Sequence, residues 1–179
     1  MALINEYHPV REDRSRIIIS FGLEPMDDGK HATWHEVYFY KKQNPRPSME
    51  EIRQAITSAV NDEVTRRIVE GFEWKGHAVW LSTENQLNYK SATDLAVQTE
   101  GENLPVTFKF GSDDAPDYYT FEEVEELKEF WQEAALHIST SLSFGWRLKD
   151  GVDYSEYSAI ELPSNGQRAR ENEPGQDGE

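Results

Sequence analysis

The sequence predicts an α+β fold in which two or three short antiparallel hairpins pack with three helices, and three observations carry that prediction. The first is Gly71-Phe72-Glu73-Trp74-Lys75-Gly76-His77-Ala78-Val79-Trp80-Leu81-Ser82-Thr83-Glu84-Asn85-Gln86, which reads without a gap as hairpin, cap and helix. The second is a Ser or Thr followed three residues later by Glu or Gln, at Ser48/Glu51, Thr83/Gln86 and Thr120/Glu123, each ahead of an apolar-periodic stretch. The third is a set of short β-branched and aromatic runs bounded by turn residues.

The elements follow in order. Residues 1–15 are polar, mixed in charge and broken by Tyr7-His8-Pro9-Val10, and read as an N-terminal arm. Arg16-Ile17-Ile18-Ile19-Ser20-Phe21 is a strand, and after the turn at Glu24–Gly29 comes a second, Thr33 to Tyr40. That second strand is aromatic on both faces, so one side of Trp34, Tyr38 and Tyr40 is expected to pack on a helix or a neighbouring subunit. Pro45 and Pro47 end the pairing, and Ser48 opens a helix. Ile52, Ile56, Val60, Val64 and Ile68 repeat at i+4 with Ala55 and Ala59 beside them, until Gly71 stops the helix.

In the hairpin, Trp74 should face His77 and Phe72 should face Val79 across Lys75-Gly76. This leaves Phe72, Trp74, Val79 and Leu81 on one apolar face and Trp80 on the other. A helix from about Thr83 to Gln98 then has a thin stripe of Leu87, Leu95 and Ala96. Val106–Phe110 alternates as a strand, with its partner starting at Tyr118-Tyr119. The last helix buries Val124, Leu127, Trp131, Ala134, Ala135, Ile138 and Leu142, wets Glu122, Glu126, Glu129 and Glu133, and closes at Gly145. Trp146, Tyr154 and Tyr157 are expected to pack back onto the body. From Leu162 the composition is that of a polar tail.

A chain of 179 residues, 37% hydrophobic and 12% aromatic, can build one core, so residues 16–160 are expected to form a single domain and 161–179 a C-terminal tail. A net charge of -16, from 34 acidic and 18 basic residues, argues against direct binding to nucleic acid or an anionic membrane. There is no cysteine, which excludes disulfides and thiolate metal sites. Neither a signal peptide nor an apolar run approaching the roughly 20 residues that span a bilayer is visible, and a soluble protein is expected.

Side chains that do chemistry are sparse. His31 and His35 share a strand face but lack a third ligand, and Asp27-Asp28-Gly29 and Ser112-Asp113-Asp114 lack the acidic residue that closes a calcium loop. The carboxylates between Asp113 and Glu133 read as a solvated face. No nucleophile elbow, phosphate-cradling glycine loop or His-Glu-x-x-His occurs. No catalytic, cofactor or metal residue is therefore expected. The aromatic surplus points elsewhere, because tryptophan and tyrosine are enriched at protein interfaces. Trp34, Tyr38, Trp80 and Trp146 are the candidate partner-binding residues.

The run Gly71 to Ser82, the polar helix after it, Val106-Thr107-Phe108-Lys109-Phe110-Gly111, Tyr118 to Phe121 and the long helix to Leu142 resemble, over about residues 55–155, an uncharacterised small α+β domain family recurrent in tailed bacteriophages and prophages. Phe108-Lys109-Phe110-Gly111 departs from it, standing where the family has a tryptophan. That family is met in or beside tail-fibre and tail-tip proteins. The resemblance implies a virion structural or tail-accessory protein, assembled in the bacterial host cytoplasm, whose partners are other phage structural proteins and further copies of itself. It implies no catalytic residue. The alternative is an acidic DNA mimic that inhibits a host defence protein, with an enzyme a third and weaker reading.

Overall fold

A computed structural model describes residues 2–112 and 114–160. The tail from residue 161 and Asp113 of the acidic loop lie outside the described residues. Helices and antiparallel sheets together make an α+β fold, as the sequence predicts. Among the described residues the chain forms two compact units, residues 60–150 being one and residues 2–59 with 151–160 the other.

The flanking unit is built on a four-stranded antiparallel sheet in the order β1-β4-β3-β2. Its strands are β1 (Ala2–Leu3), β2 (Val10–Glu12), β3 (Arg16–Pro25) and β4 (His31–Tyr40). The expected arm is thus two edge strands: Ala2 pairs with Ala32, and Val10 with Ile19. Pro9 stops a helix but not a strand edge, and Asp13 turns the chain into β3 by accepting the backbone N–H of Ser15 and of Arg16, both at 2.7 Å. Ile17 through Phe21 are buried on both faces, the pattern of a covered central strand. Both the Tyr7 and Tyr157 hydroxyls donate to the carbonyl of Ser20, the latter at 3.0 Å from a short 3-10 helix, Tyr154–Ile160.

Helix α1 spans Met49–Glu70, and its start is the expected reciprocal cap: the Ser48 hydroxyl accepts from Glu51 N and the Glu51 carboxylate accepts from Ser48 N at 2.7 Å. Ile52, Ile56 and Val60 of its stripe are fully buried.

In the unit of residues 60–150, β5 (Phe72–Trp74) and β6 (His77–Val79) pair in the predicted register, Trp74 with His77 and Phe72 with Val79. Lys75 and Gly76 have φ of 48° and 84°, the two left-handed positions of a type I′ turn. Helix α2 (Thr83–Gln98) is capped one residue earlier than expected, by Ser82, whose hydroxyl accepts from Asn85 N. Gln86 instead donates its side-chain amide to the carbonyl of Leu81 at 2.7 Å. Its buried face is also different. Tyr89, Thr93 and Ala96 face in, while Leu87 is 65% exposed and Leu95 is open as well. Tyr89 offers more apolar area than a leucine, and Thr93 hides its hydroxyl on the carbonyl of Tyr89 at 2.8 Å, so a polar-looking face is the cheaper one to bury.

Strands β7 (Val106–Gly111) and β8 (Pro116–Phe121) make a second ribbon. Thr120 belongs to β8, where its hydroxyl sits 2.8 Å from that of Thr107 directly opposite, and so it is no cap. Helix α3 runs Val124–Asp150, straight through Gly145. Two-stranded ribbons are marginal alone, and both lean on α3. Phe130 is the hub of this core, with ring centroids of Trp74, Tyr89 and Phe121 at 5.5, 5.2 and 5.1 Å. The expected stripe omitted Phe130; Trp131, which it named, is partly buried and packs against the same cluster. Leu142, expected inside, lies on the flank of α3 and is 37% exposed.

Candidate docking surfaces

Trp80 follows β6, where alternation sends Val79 and Leu81 into the core and Trp80 outward. Its backbone is pinned: the Asn85 side chain donates to the Trp80 carbonyl at 2.8 Å, and Leu81 N donates to the carbonyl of Val69 at 3.0 Å. The indole is 47% exposed at the edge of a depression of about 370 Å³ lined by Asn85, Lys109, Gly111 and Ser112. Lys109 pairs across the ribbon with Tyr118, itself 65% exposed. The result is a concave surface with an aromatic rim.

The second surface lies on the four-stranded sheet. Trp34, Glu36 and Tyr38 project from one face of β4, and Glu36 gathers three donors: the Trp34 indole at 2.9 Å, the Tyr38 hydroxyl at 2.8 Å and the Arg11 guanidinium. Burial alone would raise the Glu36 carboxyl, but these donors outweigh it and hold it below the usual carboxylate range. Tyr7 packs edge-on against Trp34 with centroids 5.8 Å apart, and the Arg16 guanidinium lies over the Tyr38 ring. Tyr38 and Tyr40 stay exposed instead of packing on a helix. Glu36 was missed in the sequence reading, although its place between Trp34 and Tyr38 at period two marks it as their shared acceptor.

Of the four predicted residues, Trp34 and Tyr38 share this face, Trp80 stands on its own rim, and Trp146 is 58% exposed on α3. His31 and His35 do not converge: His31 bonds Asp28, and His35 stacks on Phe21. Among the described residues no group of three or more His, Cys, Asp or Glu is arranged to hold a metal ion. Glu126, expected on the wet side, ties α3 to both ribbons by accepting from Lys75 Nζ and the Tyr119 hydroxyl, each at 2.6 Å.

Residues 51–163, more than half of the chain, match a family described as a domain of unknown function, DUF4376. The chain belongs to the DUF4376 family. The span of the DUF4376 match takes in α1 from its third residue, both ribbons, α2 and α3, so the Trp80 surface and Trp146 are inside it, whereas Trp34 and Tyr38 are not. No curated protein and no solved structure matches this DUF4376 chain.

Proposed function

We propose that the protein is a structural or tail-accessory component of a bacteriophage virion that works by docking onto other structural proteins and onto copies of itself. The observation that carries the docking part is Trp80. A tryptophan whose backbone is pinned and whose indole stands in the open beside a concavity, in a hairpin whose other large apolar side chains are buried, has the composition and the setting of an interface anchor. The phage part rests on the resemblance of residues 55–155 to the domain recurrent in tailed phages and prophages.

Light scattering on the full chain, alone and mixed with the products of its neighbouring genes, tests this reading. A co-complex of defined mass that weakens at least tenfold on Trp80→Ala, with the melting temperature unchanged, is expected. A chain that forms no complex with any of these proteins overturns it.

A further inference from the structure

The outer stripe of α3 carries opposite charge at its two ends. Glu129 and Arg147 are 18 residues apart, which is five turns, so both lie on one line along the helix about 27 Å apart. Glu133 and Thr140 flank that line, and Leu136, 66% exposed, stands between them. Among the described residues Glu129, Glu133 and Arg147 have no ion-pair partner. The charge is segregated along the element: Glu125, Glu126, Glu129 and Glu133 stand against Lys128 in the first ten residues, and no carboxylate follows until Asp150.

The basic end opens on a groove of about 460 Å³, where Arg147 stands with Arg66, Arg67, Glu70, His137 and Phe144. Arg67 is laid over the Phe144 ring at 3.6 Å, and Glu63 orients Arg66 and Arg67 at 2.9 and 2.8 Å. In the middle of the stripe Ser139 and Ser143 turn their hydroxyls back onto the carbonyls of Leu136 and Ser139, both at 2.9 Å. Small side chains with satisfied hydroxyls allow another helix to approach at little desolvation cost.

A stripe whose charge inverts about its midpoint, near Ile138, is complementary to itself when turned end over end. We propose that a second copy of the chain docks here with its α3 antiparallel, across a two-fold axis that passes between Leu136 and Thr140, level with Ile138 but on the opposite side of the helix from it. Glu129 and Glu133 of each copy then meet Arg147 of the other, and Leu136 meets Thr140. A parallel arrangement would set Glu129 against Glu129, so charge selects the antiparallel one. This surface gives the self-association in the proposed function a place and a symmetry, and it rests on that part of the reading.

Light scattering over a concentration series tests it, with circular dichroism confirming that each variant is folded. The wild type is expected to be a dimer, and Glu129→Arg and Arg147→Glu should each raise the dissociation constant about tenfold or more. An equimolar mixture of the two variants restores the dimer, because each supplies the charge the other now needs, and so does the double variant alone. A monomeric wild type, a dimer indifferent to both reversals, or failure of both restorations overturns the proposal. Trp80→Ala leaves the dimer intact, so loss of a foreign partner on that variant bears on the Trp80 reading alone.

Discussion

A methyl group at Gly145 would come within 2.4 Å of the Val64 Cγ2 atom, so the bare backbone of α3 is what lets the end of α1 lie against it. Gly145→Ala should therefore cost about 1–3 kcal/mol in thermal or urea unfolding despite alanine's better helix propensity, because the overlap exceeds what the helix gains. Adding Val64→Ala should recover part of that loss, and a Gly145→Ala protein as stable as the wild type would remove the argument. The sequence predicts a helix end at Gly145, and α3 runs on to Asp150. Glycine serves both as a breaker and as a slot for a neighbouring helix, and only the partner across the slot tells the two apart. Phe130 was missed for a related reason: it sits between Glu129 and Trp131, and a pattern that can place either aromatic inward does not know which one finds other rings.

Among the elements, the strap of Lys75, Tyr119 and Glu126 joins the β5–β6 turn and β8 to the first turn of α3. The hydrogen bond from Lys75, followed by that from Tyr119, holds the Glu126 carboxyl below its ordinary range. The folded state therefore binds the proton of Glu126 less readily than the unfolded chain does. The strap's contribution is complete above the unfolded carboxylate range, about pH 4.3, and is lost as pH falls through the lowered value. Lys75→Met should accordingly reduce stability at pH 7 and make no difference well below pH 4. A melting series that shows the same gap at both ends would exclude the strap. Hairpin register and the Ser48 cap were legible because they depend on neighbours in sequence. The buried face of α2 and the role of Thr120 were not, since both are decided by what lies opposite, Phe108 against Tyr89 and Thr107 against Thr120.

For the molecule as a whole, the α+β class followed from short-range pattern, whereas the division into two units did not, because nothing in the composition changes between residues 59 and 60. The candidate surfaces were legible only as exposed aromatics. Of their frames, the Glu36 acceptor has a signal in its period-two place between Trp34 and Tyr38, whereas the Asn85 pin required the fold. A net charge of -16 repels itself in the folded state, and the proposed α3 contact is held by a few opposed charges. Salt should thus act with opposite signs on the two. Raising sodium chloride to about 0.5 M is expected to raise the melting temperature while weakening the dimer, since screening relieves long-range repulsion and dulls the attraction. Parallel scattering and melting measurements check this, and a dimer that tightens with salt would point to an apolar contact instead.

Lys75 returns with a different meaning once its backbone is considered. Its φ of 48° suits glycine or asparagine better than lysine, yet its ammonium reaches an acid 51 positions away. Position 75 is pulled in two directions, toward an easier bend and toward a distant anchor. Variants selected for rapid hairpin closure should drift to asparagine or glycine there, whereas variants selected for an α3 that stays fastened at neutral pH should keep the lysine.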